Sequence, residues 1–96
     1  MEEYTIDSPY IKNILYKELG FERYPYNTLG ILMWLRMAND IIVTAYPFRN
    51  GFVWYGLDEN TRKETGEDLT EYSTLEEALE AGLVETICYL ALKQKE

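Results

Sequence analysis

The chain contains no histidine. That removes the commonest general base, the triads built on it and most zinc sites. Its one cysteine, Cys88, cannot close an intramolecular disulfide, and one thiol without histidine does not make a structural zinc site. Cys88 stands next to Ile87 on the apolar side of a helical pattern, where an inert core thiol is the plain reading. Carboxylates are abundant, and Glu76, Glu77 and Glu80 would form an acidic patch. They occur where the solvated face of a helix puts them, and nothing nearby would drive two pKa values apart as an acid–base pair requires. The stretch from Asp58 to Asp68 invites a calcium reading, but the sixth position of such a loop must be glycine and here it is Lys63. Gly51, Gly56 and Gly66 fit neither phosphate-binding glycine pattern. The residues therefore imply no cofactor, no metal and no catalytic group.

Tyrosine is the unusual component, with nine in 96 residues. Tyr46, Phe48 and Tyr55 fall where they would share one face of a hairpin and form an aromatic platform. Such platforms stack bases in single-strand binders, yet only Arg49 is near enough to follow a phosphate backbone. Contact with a protein is the better reading, with burial in the chain's own core as the plain alternative.

Charge sharpens this. Residues 58–85 hold ten acids and two bases, and the rest of the chain is neutral, so the whole net charge of −8 lies on that segment. It repels phosphate, which argues against direct nucleic-acid binding. The length suits one domain of modest stability, with little apolar material to spare for a deep pocket. The acidic N-terminus argues against a signal peptide. The longest apolar run, from Ile31 to Leu35, is far short of the roughly 20 residues a bilayer needs. A single cysteine fits a reducing compartment. A cytoplasmic protein without a membrane partner is the expectation.

The elements that must position these residues read as follows. Residues 1–6 are a loose end. Asp7 or Ser8 caps a first helix at 8–19, with Pro9 in its first turn and Gly20 as its stop. A loop holding Pro25 leads to a second helix at 29–38, apolar almost all round. Leu29, Leu32, Met33 and Met37 lie on one side, Ile31, Trp34 and Leu35 on the other, so the helix is buried or meets a partner. Two β-rich stretches flank Asn50-Gly51, a hairpin signal because both turn residues take φ > 0 in the favoured turn. With these two as the loop, Tyr46 faces Tyr55 and Ala45 faces Gly56. One face carries Ile41, Val43, Ala45, Phe52, Trp54 and Gly56; the other carries Ile42, Thr44, Tyr46, Phe48, Val53, Tyr55 and Leu57. Both are substantially apolar, so helices cover both or a second chain covers one. Residues 59–68 read as a surface loop and 69–72 as an optional third strand. Ser73 and Glu76 form a capping box for a last helix at 74–93, with Leu75, Leu79, Leu83, Ile87 and Leu90 as its apolar stripe. Gly82, costly in mid-helix, implies close packing, with Ile41, Val43, Ala45 and Trp54 turned toward that helix.

The stretch from Pro25 onward resembles a set of small uncharacterised proteins of bacterial and phage genomes, chiefly of gut anaerobes. The likeness is carried by Trp34-Leu35-Arg36, the Ile41-Ile42-Val43 strand, the aromatic hairpin and the run from Tyr72 through Leu75-Glu76-Glu77-Ala78-Leu79-Glu80 to Leu83. It implies a phage or mobile-element setting and no mechanism.

The sequence thus predicts one α+β domain in the order α-α-β-β-(β)-α, a small antiparallel sheet against a long C-terminal helix. The functional expectation is a non-enzymatic protein-interaction module, possibly a homodimer. The alternatives are an acidic nucleic-acid mimic occupying a basic protein, and a small enzyme.

Overall fold

Pro9 loses nothing at the start of a helix, where its N–H would have no partner, and Gly20, at φ +71°, ends the first helical stretch. Between them α1 (Pro9–Asn13) runs on as a π-helical turn (Ile14–Glu18). There follow α2 (Thr28–Asn39), β1 (Ile41–Phe48), β2 (Gly51–Asp58), β3 (Lys63–Glu64) and α3 (Leu75–Gln94). The computed structural model describes residues 4–66 and 70–95. The fold is α+β, with a three-stranded antiparallel sheet in the order β1-β2-β3 and α3 packed on one face. Of the predicted loose end at 1–6, residues 1–3 lie outside the described residues, and its last residue is tied down. Ile6 is buried, its N–H donates to Glu80 Oε1 at 3.2 Å, and its carbonyl accepts the Tyr26 hydroxyl.

The core joins Ile11, Ile14 and Leu15 from the first helical stretch, Phe21 from the loop after it, and Ile31, Trp34 and Leu35 from α2. Against these lie Ile41, Val43 and Trp54 of the sheet and Leu83, Ile87 and Leu90 of α3. At α2 the prediction of two apolar sides resolves into one buried side and one open side, where Leu29, Met33 and Met37 are 70%, 44% and 65% exposed. Asn27 caps the helix, its side chain accepting from Gly30 N at 2.7 Å. That cap folds the preceding loop so tightly that a methyl group at Gly30 would lie 1.8 Å from the Pro25 carbonyl oxygen.

The hairpin forms where predicted but with a shifted register. Phe48 pairs with Gly51, so the loop is Arg49-Asn50 and not Asn50-Gly51. Only Arg49 has positive φ, at 55°, the pattern of a II′ turn and not of the I′ turn that Asn-Gly favours. Gly51 serves another need, because a Cβ there would stand 2.7 Å from the Tyr72 carbonyl oxygen. Tyr72 bridges to Phe52 through two backbone hydrogen bonds of 2.9 and 2.8 Å. The register moves by two residues, so every side chain keeps its predicted face while the partners change. Tyr46 faces Val53, Thr44 faces Tyr55, Ala45 faces Trp54 and Val43 faces Gly56.

The third strand is Lys63–Glu64, inside the stretch predicted as a loop, and it pairs with Asp58 and Leu57. Of the predicted strand at 69–72, Leu69 lies outside the described residues and Tyr72 contributes only its bridge. The cap of α3 also moves by one residue. Thr74, not Ser73, accepts from Glu77 N at 3.1 Å.

The predicted closeness at Gly82 is present, and its cause is Trp54. A Cβ on Gly82 would lie 2.9 Å from three atoms of the indole, and one on Gly66 would lie 2.5 Å from its far edge. The ring is rigid and cannot yield as a flexible side chain would. Gly82→Ala gains up to about 1 kcal/mol of helix propensity but forces overpacking that costs about 1–3 kcal/mol. Gly30→Ala meets backbone and should cost about 3 kcal/mol, lowering the melting temperature by more than ~10 °C in a chain of this size. Thermal melts should therefore rank Gly30→Ala as the more damaging change and Gly82→Ala as a net loss. A melting temperature of either variant at or above the parent's would contradict these contacts.

Candidate functional site

Two places on the molecule gather polar or aromatic residues. The first lies where β2 ends. The Asp58 side chain is sealed from solvent, and its carboxylate accepts three hydrogen bonds. Oδ2 takes the Tyr89 hydroxyl at 2.7 Å and Lys93 Nζ at 2.9 Å, while Oδ1 takes the Asn60 backbone N–H at 3.0 Å. Burial by itself would raise the pKa of Asp58. The hydrogen bonds from Tyr89, Lys93 and Asn60, with the Lys93 charge, outweigh it and hold the group below the ordinary carboxylate value. Around this carboxylate the chain is stitched from several sides. Asn60 Nδ2 donates to the Asn39 carbonyl at 3.0 Å, and Glu59 N donates to the Asp40 carbonyl at 3.0 Å. Arg36 pairs with Glu59 at 3.0 Å on the surface.

Beside Asp58 opens a shallow cleft of about 460 Å³, lined in part by Asp40, Asn60 and Lys93. The sequence offered no hint that Asp58 would be buried. The available signal was the spacing of Tyr89 and Lys93, which puts a hydroxyl and an ammonium one turn apart on the same side of a helix. A carboxylate kept anionic by three donors is a poor proton acceptor at neutral pH. What this arrangement does is fasten the end of α3 to the end of the sheet. Among the described residues no group of three or more His, Cys, Asp or Glu side chains is placed to hold a metal ion.

The second place is the face of the sheet turned away from α3. Tyr46 and Tyr55, 41% and 37% exposed, stand on it with Ile42 and Thr44. Phe48 and Leu57 are half-buried at its ends, and Val53, opposite Tyr46, is fully buried. The structure thus brings the predicted Tyr46, Phe48 and Tyr55 onto one face, although the two tyrosines are diagonal neighbours and not a directly opposed pair. The β1 and β2 positions of this face carry no charge. Arg49 lies over the Phe48 ring with its guanidinium carbon 5.1 Å from the centroid, and Glu64 stands at the other end, opposite Leu57.

The predicted acidic patch is divided. Glu76 and Glu77 are exposed in the first turn of α3, while Glu80 turns inward to hold Ile6 N. Cys88 is half-buried, and burial, helped by the charge of Glu85, pushes its thiol pKa up and away from reactivity. No described helix is long and apolar enough to cross a membrane.

No family model, curated protein or solved structure matches the chain.

The Asp58 cluster has a pH signature. A carboxylate whose folded pKa is lowered contributes stability that is complete above its unfolded value near 3.9 and is lost as pH falls through the folded value. Asp58→Asn keeps an acceptor for Tyr89 and removes the charge that holds Lys93. Because Lys93 can turn to solvent, the loss at pH 7 should be about 2 kcal/mol, below that of a fully buried pair. Urea unfolding at pH 7 and at pH 3 should show the gap between parent and variant narrowing in acid. A gap of equal size at both pH values would remove Asp58 from this role.

Proposed function

We propose that the chain is a non-enzymatic protein-interaction module that works through the outer face of its sheet. The observation that carries the reading is that face itself, on which Ile42, Thr44, Tyr46 and Tyr55 are exposed, with Phe48 and Leu57 half-buried beside them and Val53 buried. Aromatic residues without charge among them are what the centre of a protein interface is made of. A soluble sheet with one solvated side ordinarily alternates apolar and polar positions, and this one does not. Stacking on the face is also better supported than addition of a strand at the edge. The bonds from Phe52 to Tyr72 and from Thr65 N to Gly56 O fix which backbone groups of β2 point away from β1. Their partners Val43, Ala45 and Pro47 therefore turn their own groups to the outer edge of β1. Val43 is only 3% exposed alongside α2, and Pro47 has no N–H to offer.

A photo-crosslinking residue placed at Tyr55 should yield discrete protein adducts in cells that make the chain at its natural level. The same residue at Glu85, on the helix side, should not. Absence of any adduct at both Tyr55 and Tyr46 would end this reading.

A further inference from the structure

We infer that the outer sheet face takes a cationic peptide segment, with two lysines or arginines about 13 Å apart and an apolar residue between them. The inference rests on the interaction reading above and names the chemistry of its partner. Strand register puts two carboxylates on this face. Glu64 stands opposite Leu57. Tyr72 pairs with Phe52, so Glu71, the residue before it, shares the side of Val53 and Tyr55. The Glu71 Cβ lies 3.3 Å from the place of a Cβ on Gly51, which belongs to that same side. Both carboxylates are exposed, and neither has an ion-pair partner among the described residues.

Spacing and sign agree with this. Val53 and Leu57 are four residues apart on β2, so the two acids bracket Tyr55 with about 13 Å between them along the strand. An extended chain repeats that spacing between one residue and the fourth after it, and the residue midway then falls at the exposed Tyr55 ring. A cation over that ring gains from its face as well. Residues 64–71 hold four acids and no base, and the net charge of −8 draws cations from a distance. Lys63, opposite Asp58, belongs to the other face. Arg49 lies over Phe48 at the hairpin end, which leaves the cationic segment the side of β2 turned away from β1. Exposed ion pairs contribute little singly, so contact with Tyr55 and Tyr46 must supply the rest, and the complex is weak, with Kd on the order of 100 µM.

Amide NMR titration of the full chain tests the inference, with two capped peptides as probes. One repeats lysine-threonine-valine-threonine; the other has glutamate in place of each lysine. The lysine peptide should shift amides around Tyr46 and Tyr55 and lose at least about fivefold in affinity between roughly 0.05 and 0.5 M salt. The glutamate peptide should not bind. Glu64→Lys with Glu71→Lys should weaken the lysine peptide at least about tenfold. Glu18→Lys with Glu85→Lys changes the net charge equally from exposed positions on the helical side and should cost less than about twofold at physiological salt. Circular dichroism melts establish that each variant is folded, and Glu64→Gln with Glu71→Gln replaces the reversal if it is not. Equal losses from the two double variants overturn the inference, as do shifts centred on α3. A lysine peptide that does not bind, while Tyr55 crosslinks to another protein in cells, overturns the cationic partner and leaves the interaction reading standing.

Discussion

Trp54 decides how near α3 can come to the sheet. Its indole is almost wholly buried, with Gly82 of α3 against its face, Gly66 at its far edge and Gly56 beside it in the same strand. None of these positions has room for a Cβ. The large ring therefore does not hold helix and sheet apart; it fills the space the missing side chains leave. That close approach brings Thr65 and Thr86 to a hydroxyl–hydroxyl hydrogen bond of 2.9 Å in the interior. An unmet hydroxyl there would cost on the order of 1–3 kcal/mol, so the bond and the glycines depend on one another.

Gly82, Thr86, Tyr89 and Lys93 are spaced four, three and four residues apart and so lie on one line of the helix. Along that line α3 meets Trp54, Thr65 and Asp58 in turn. Leu83, Ile87 and Leu90 form a second line a quarter turn away, buried in the core shared with the N-terminal helices. The helix thus has a small and polar seam toward the sheet and an apolar seam toward the other helices. The sheet takes all of this on one face. With helical cover spent there, Ile42, Thr44, Tyr46 and Tyr55 of the outer face stay exposed, which is why the functional reading centres on them.

Some of this was legible in the residues. Period-two alternation placed Tyr46, Phe48 and Tyr55 on a common face, and it survived a two-residue change of register because such a shift preserves parity. Gly82 in mid-helix signalled close packing, and that packing exists. The turn was misread for an instructive reason. Asn-Gly is a hairpin signal when glycine is needed for positive φ, whereas Gly51 is needed for the approach of Tyr72, a residue 21 places away. Local sequence does not distinguish these two uses of a missing side chain. The Leu75 end of the expected apolar stripe is exposed for a similar reason: the helix begins before the core does.

By itself the sequence determined the class of the fold, the order of its elements, which side of each strand is which, and where the charge lies. Those follow from periodicity, capping and composition, which act over a few neighbouring residues. Only the tertiary structure decided that Asp58 is buried and held by Tyr89 and Lys93, that Lys63–Glu64 is the third strand, and that Tyr46 and Tyr55 of the sheet and Leu29, Met33 and Met37 of α2 stay exposed. Each of these depends on distant segments meeting in space, and burial is a property of that meeting, not of the residue that undergoes it.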